Sequence, residues 1–244
     1  MAYETRFPLG AFGLRMTASV AVIRIGSKVW LPAMDRNTHH AEMNERKWDA
    51  RAATYDDRRF DYFRWMQRRV IRLIDLRPGL RFLDVGCGTG WAVRHVAGLL
   101  HGAGKFYGVD ISGHMIERAR AQARGLENVH FYRTNAQQLP LETGCVDCAI
   151  CTNSFHHYVD PPQVLAEIGR VLAVAGRLYI LDVTADDFLT RWIDGRARRR
   201  EREHVKFYSS QEYRTMFVAA QLEPLSSQLI AYPVKVHVAE KPAM

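Results

Sequence analysis

No run of roughly 18 apolar residues, the length a bilayer-spanning helix requires, occurs in the sequence. The nearest approach, residues 16–34, is interrupted by Arg24 and Lys28. Arg24 also breaks the apolar segment that a cleaved signal peptide needs. A cytoplasmic protein without a transmembrane segment is expected, with membrane-surface contact left open. Cysteine is scarce: Cys87, Cys145, Cys148 and Cys151 are all there are. The last three are spaced Cys-x-x-Cys-x-x-Cys, a pattern that suggests a metal site. Residues 146–151, however, read as a strand, where successive side chains alternate faces. Cys148 and Cys151 then point to opposite sides, as do Cys145 and Cys148, so no metal is expected and the thiols should stay reduced. Hydrophobic residues make up 48% of the chain, enough for a core without a disulfide or metal staple. No internal repeat or low-complexity tract stands out. Acids are also in deficit, 26 against 34 Lys and Arg, for a formal charge of +8. Such a surplus favours anionic partners but says nothing about fold.

What is present begins with organisation. A length of 244 residues suits one domain with an appendage. Residues 1–42 show no clear periodicity, and a charged helical pattern starts at Met43. The expected division is therefore an N-terminal extension, 1–42, and a folded domain, 43–244. A helix is predicted over 59–75, with Phe60, Phe63, Val70, Ile71 and Ile74 at helical spacing, before Pro78-Gly79 forces a turn. Strands follow at 81–85, 105–109, 129–133, 146–151 and 177–182. Helices are predicted at 91–100, 112–124, 161–172 and 211–220, with two last β-prone runs at 223–230 and 234–238. This alternation predicts an α/β fold, a parallel sheet with helices on both faces.

Between the first of these strands and its helix lies Phe82-Leu83-Asp84-Val85-Gly86-Cys87-Gly88-Thr89-Gly90. Glycines there let the backbone turn sharply and let a ligand lie against bare main chain. A dinucleotide fingerprint would place its third glycine one residue later, where Trp91 stands, and no Lys follows to make a phosphate loop. Asp84 would also repel phosphate and attract a cation such as an amino-acid ammonium. S-adenosylmethionine carries an ammonium and a sulfonium and has no phosphate. The second strand ends in Asp110, 20 residues beyond Gly90, where a carboxylate can accept both ribose hydroxyls. Ser112 is the better cap for the helix that follows.

These segments resemble class I S-adenosylmethionine-dependent methyltransferases, in particular the branch of ubiquinone/menaquinone-biosynthesis C-methyltransferases. The likeness spans residues 45–240. It rests on the glycine turn, Gly108-Val109-Asp110-Ile111-Ser112, Asn135-Ala136-Gln137-Gln138-Leu139-Pro140, Asn153-Ser154-Phe155-His156-His157-Tyr158 and Ala166-Glu167-Ile168-Gly169-Arg170-Val171-Leu172. It implies a Rossmann-like seven-stranded, mostly parallel sheet whose last strand is antiparallel. It also implies that Asp84, Gly86, Gly88 and Gly90 hold the methionine part, that Asp110 binds ribose, and that Ile111 and Met115 flank adenine. Asn135, with Ala136 and Gln137, would meet the adenine amino group, although the family often has Asp at the first position. Asn153 would lie beside the methyl donor, and Tyr55 matches an N-terminal lid element or serves helix packing.

Methyl transfer from a sulfonium mainly needs alignment, and a base only when the acceptor must lose a proton. His156 is the first candidate for that base and His157 the second, since both follow a strand end at the mouth; the alternative for each is packing of the loop. Asp160-Pro161-Pro162-Gln163 reads as a helix start, with Asp as cap and Pro in the first turn. The basic run Arg196, Arg198, Arg199, Arg200 and Arg202 reads as a solvated helix face, with a clamp for an anionic substrate or lipid headgroup as the other option. The expected partner is a small-molecule methyl acceptor, and nucleic acid is not expected. An RNA-modifying enzyme fits the charge but lacks any recognisable RNA-binding appendage. A non-catalytic S-adenosylmethionine-binding regulator remains compatible with the cofactor loop.

Overall fold

The computed structural model describes residues 23–25, 28–30, 36–52, 61–201 and 204–243. The chain divides into two units, Met1–His39 and His40–Met244. In the first, β1 (Ile23–Ile25) and β2 (Lys28–Trp30) pair antiparallel. Strands of three residues are too short for a period to show in sequence. Helix α1 (Arg36–Ala52) starts ahead of Met43, where the charged pattern becomes legible, and α2 covers Asp61–Ile71.

The second unit is built on a seven-stranded sheet. Its strands are β3 (Leu80–Val85), β4 (Gly104–Asp110), β5 (Val129–Arg133), β6 (Val146–Thr152), β7 (Leu172–Val183), β8 (Glu223–Ala231) and β9 (Val234–Glu240). They lie in the order β5-β4-β3-β6-β7-β9-β8. The first five are mutually parallel, β9 runs antiparallel to β7, and β8 is antiparallel to β9. This is the Rossmann-like, mostly parallel sheet expected, with the last strand reversed. Chain order changes direction between β3 and β6, which opens a crevice at their carboxyl ends, where such folds bind ligands.

Alternation along the strands fills a core on each face. Phe82, Phe106, Cys148 and Ile150 pack with Val93 and Val96 of α3 (Trp91–Leu99) and Val70 of α2. Leu83, Val85, Val109, Ala149 and Cys151 pack with Val164, Leu165 and Ile168 of α5 (Pro161–Val171) and Phe217 of α7 (Ser210–Ala219). Cys148 and Cys151 thus sit in opposite layers, and among the described residues no group of three or more His, Cys, Asp or Glu is placed to hold a metal. Helix ends follow their caps. Ser112 accepts from Met115 N–H at the start of α4 (Gly113–Gln122), and Asp160 accepts from Gln163 N–H ahead of Pro161.

Several boundaries differ from expectation, among them the end of α2 at Ile71 instead of residue 75. β7 begins at Leu172, directly from α5, because Leu172 turns to φ −65°, ψ 136° and a register irregularity between Val146 and Cys148 absorbs the bend. Helix α6 (Phe188–Arg200) begins earlier than the basic run suggests, started by a reciprocal cap between Asp187 and Thr190.

Candidate functional site

The glycine turn leaves β3 with three left-handed residues: Gly86 at φ 80°, Gly88 at 53° and Gly90 at 74°. A side chain is excluded at two of them by neighbours as well as by backbone strain. A Cβ on Gly86 would stand 2.5 Å from Ser154 Oγ, and one on Gly90 would stand 2.5 Å from the Phe131 ring. The turn closes against β4, with Gly86 and Cys87 N–H donating to Val109 O at 2.8 and 2.9 Å.

Two carboxylates flank this turn. Asp84 is fully buried, and neither of its oxygens has a hydrogen-bond partner among the described residues. Burial and, secondarily, the charge of Asp110 push its carboxyl up to about 8. A buried carboxylate without a donor is costly, so this position is suited to receiving a cation. Asp110, half-buried at the end of β4, is engaged by backbone donors although Ser112 caps α4. It accepts from Gly88 N–H at 2.8 Å and from Ser112 N–H at 2.9 Å, which braces the turn. Burial raises its carboxyl also, against these backbone bonds. A carboxylate offers about four lone-pair sites, so acceptor capacity remains.

The other expected contacts are distributed around the same crevice. Ile111 follows Asp110 and is half-buried, whereas Met115 is almost wholly enclosed. Asn135 is engaged within its own turn: Oδ1 accepts from Gln137 N–H at 3.0 Å and Nδ2 donates to Gln137 Oε1 at 3.1 Å. Ala136 beside it is buried. Asn153, just past β6, adopts φ 54°, a left-handed conformation that Asn tolerates better than most residues. Tyr55 lies outside the described residues.

His156 sits in a 3-10 turn (Phe155–His157) after β6. Its Nδ1 lies 2.8 and 2.9 Å from the two oxygens of Asp182, and its backbone N–H donates to Asp182 Oδ2 at 3.0 Å. Asp182, fully buried at the end of β7, also accepts from Val183 N–H at 2.8 Å. A carboxylate on Nδ1 fixes Nδ1–H and leaves Nε2 as the basic nitrogen. His157 instead is buried, with the Trp48 ring edge-on at 5.6 Å and its carbonyl accepting from Asn44 Nδ2 at 3.2 Å. The structure separates the two histidines, one held by an acid and the other by packing.

Several residues of the site were not singled out in sequence. Asp182 is one, although Leu181-Asp182-Val183 repeats the Leu83-Asp84-Val85 ending of β3. Asp49 of α1 is another: it accepts from Ser112 Oγ at 2.5 Å and His114 N–H at 3.2 Å. Glu45 pairs with Arg133. With Asn44 and Trp48 on the 3-10 turn, α1 spans the crevice from β5 to the loop after β6. Behind His156, Val205 and Lys206 N–H donate to its carbonyl at 3.0 and 3.3 Å, and His204 Nε2 bonds Asp194 at 2.8 Å.

A family described as a methyltransferase domain matches residues 76–221. The chain is 32% identical over 157 residues to the uncharacterized methyltransferase YcgJ of Bacillus subtilis, covering 63% of this chain and 61% of that protein. The YcgJ crystal structure superposes with a TM-score of 0.61 at 23% identity, over 73% of this chain and 98% of that one. Nocamycin O-methyltransferase of Saccharothrix syringae is 31% identical over 153 residues, 62% of this chain and 55% of its own length. Demethylmenaquinone methyltransferase of Bacillus mycoides is 31% identical over 121 residues, 48% and 51% respectively. The chain spans about half to three-fifths of the length of these relatives.

Proposed function

The chain belongs to the methyltransferase-domain family, with S-adenosylmethionine as its methyl donor, and we propose that it methylates a hydroxyl on a small acceptor with His156 as the base. The observation that carries this reading is the His156–Asp182 pair at the carboxyl ends of β6 and β7, the first of which lies beside β3. Methyl transfer to an amine or thiolate lone pair needs no such base, whereas a hydroxyl must shed its proton as the new bond forms. The likeness to nocamycin O-methyltransferase supports oxygen as the accepting atom.

The residues fit the donor. Asp84 offers a buried, unpartnered carboxylate to an ammonium, and the turn at Gly86, Gly88 and Gly90 offers bare backbone beside it. Asp110 keeps lone pairs for a ribose, with Ile111, Met115 and the Asn135–Gln137 turn toward the adenine side and Asn153 toward the methyl. When bound, S-adenosylmethionine supplies an electrophilic methyl group on its sulfonium. His156 Nε2 takes the acceptor's proton, and Asp182 balances the resulting imidazolium and keeps the ring in place. Trp48, Asn44 and α1 cover this side and exclude water, which sharpens every charge interaction inside.

The test is turnover of a panel of phenols, quinols and sugar hydroxyls against matched amines and thiols, read as S-adenosylhomocysteine formed. Methylation confined to hydroxyl-bearing acceptors is expected; turnover of amines alone would refute the role of the base. For the donor site, Asp110→Ala should weaken S-adenosylmethionine binding by about 2–4 kcal/mol, from two lost charge-assisted bonds and a loosened Gly88 N–H. Calorimetry giving wild-type affinity would refute the ribose assignment.

A further inference from the structure

We propose that α6 docks the protein on an anionic lipid bilayer, using one exposed helix face that is apolar at its N-terminal end and cationic at its C-terminal end. The helix is inside-out relative to ordinary amphipathic packing. Its buried residues are Thr190 and Asp194, both polar. Its outward face carries Phe188 at 84% exposure, Leu189 at 50%, Trp192 at 51% and Ile193 at 39%. Helical spacing puts Arg196, Arg199 and Arg200 on that same face, one to two turns further along. Tyr232, 60% exposed in the β8–β9 turn, adds a ring at the apolar end by donating its hydroxyl to Asp187 at 3.3 Å.

Among the described residues, nearby acids do not neutralise the cationic end. Asp186 is held by Lys235 and Ser210, Asp187 caps α6, Asp194 is taken by His204 and Arg198, and Glu201 pairs with Lys47. Among the described residues no salt bridge engages Arg199 or Arg200, while Arg196 lies 5.6 Å over the Trp192 ring. Phosphodiester headgroups complement this charge, and the chain's formal +8 adds attraction at longer range. The grading along the helix selects a bilayer over a nucleic acid. With α6 tilted N-terminal end inward, Phe, Leu, Trp and Ile reach below the headgroups while the arginines stay at headgroup level, whereas a phosphate backbone gives those apolar residues nothing to bury against. No described helix is long and apolar enough to cross the membrane, so the contact is peripheral. The loop after α6 bonds the backbone of His156, which links this helix to the acceptor side of the site.

Sedimentation of the full chain with vesicles tests this without donor or acceptor. Binding to phosphatidylcholine mixed with phosphatidylglycerol is expected, weakening about ten-fold or more on pure phosphatidylcholine or in high salt. The double variant Phe188→Ser, Trp192→Ser should lose about ten-fold or more of that binding, and Arg199→Glu with Arg200→Glu should erase the preference for anionic lipid. Both should melt like the wild type, since these side chains leave the core untouched. Absence of binding to the anionic vesicles, or equal binding by the Phe188/Trp192 variant, overturns the proposal. So does self-association that this variant abolishes without any vesicle binding, which would assign the face to a second copy of the chain.

Discussion

Asp84→Asn should melt roughly 4–8 °C above the wild type at pH 8 in the absence of donor, and should bind S-adenosylmethionine roughly 10²–10³-fold more weakly. Both effects come from one fact: this carboxyl is sealed from water with no protein donor on either oxygen. Its folded-state value of about 8 is raised above that of an unfolded carboxyl near 4. The folded protein therefore holds a proton that the unfolded chain releases. The associated stability is fully present below about pH 4 and is lost as pH climbs through about 8. An amide of the same shape does not ionise, so the gap between variant and wild type should be small near pH 5 and largest at pH 8–9, at about 2 kcal/mol. Donor should reverse the order, because an ammonium at Asp84 lifts the wild type by mass action and leaves the variant unmoved. Scanning calorimetry at several pH values, with and without donor, reads all of this. A variant less stable than wild type at pH 8, or one binding donor normally, would remove Asp84 from the cation site.

The feature behind both expectations, an acid sealed at the end of a strand, was legible in sequence. An acid in the apolar ending Phe82-Leu83-Asp84-Val85 makes no sense as packing, and the turn after it needs glycine for backbone reasons. Both signals are local. The strands of the parallel sheet were legible for a similar reason, since burial on both faces makes them short apolar runs between turns. β5 was placed with its observed bounds, Val129–Arg133.

What was not legible depends on contacts distant in sequence. The importance of Asp182 lies in its bond to His156, 26 residues earlier, and that of Asp49 in a hydroxyl 63 residues later. The first five residues of β7, 172–176, escaped notice because Ala175, at φ 60°, and Gly176 interrupt the alternation there. Helix α6 runs against the usual rule that apolar residues mark the inward face. Reading apolar residues as the inward face puts Phe188, Leu189, Trp192 and Ile193 in the core, yet they face out, because Asp194 is drawn inward to meet His204, Arg198 and the Phe207 N–H at 2.7 Å. One buried carboxylate with three donors sets the rotation of the helix.

The second large effect is expected at the other end of the crevice. His156→Ala should lower kcat on a hydroxyl acceptor by roughly 10²–10⁴, with donor affinity within about two-fold of wild type. Its residual rate should climb with pH, because the acceptor's own ionisation then replaces the lost base. Asp182→Asn acts through the ring and not on the substrate. The amide can offer Nδ2–H to Nδ1, which moves the imidazole proton to Nε2 and blocks the nitrogen that must accept. A kcat loss of about 10²–10³ is expected, with KM little changed and the same rise with pH, while Asp182→Glu should recover part of the rate by restoring an acceptor at Nδ1. The variant also leaves one of the Val183 and His156 backbone N–H groups facing the amide oxygen and the other facing its NH₂, so a lower melting temperature accompanies it. The pH profile separates the two roles: a purely structural Asp182 would lower the amount of active enzyme uniformly at every pH, whereas a positioning role tilts the profile in the same direction as His156→Ala. A flat, uniformly scaled profile in Asp182→Asn, together with undiminished kcat in His156→Ala, would return this pair to loop packing and leave hydroxyl activation to some other group.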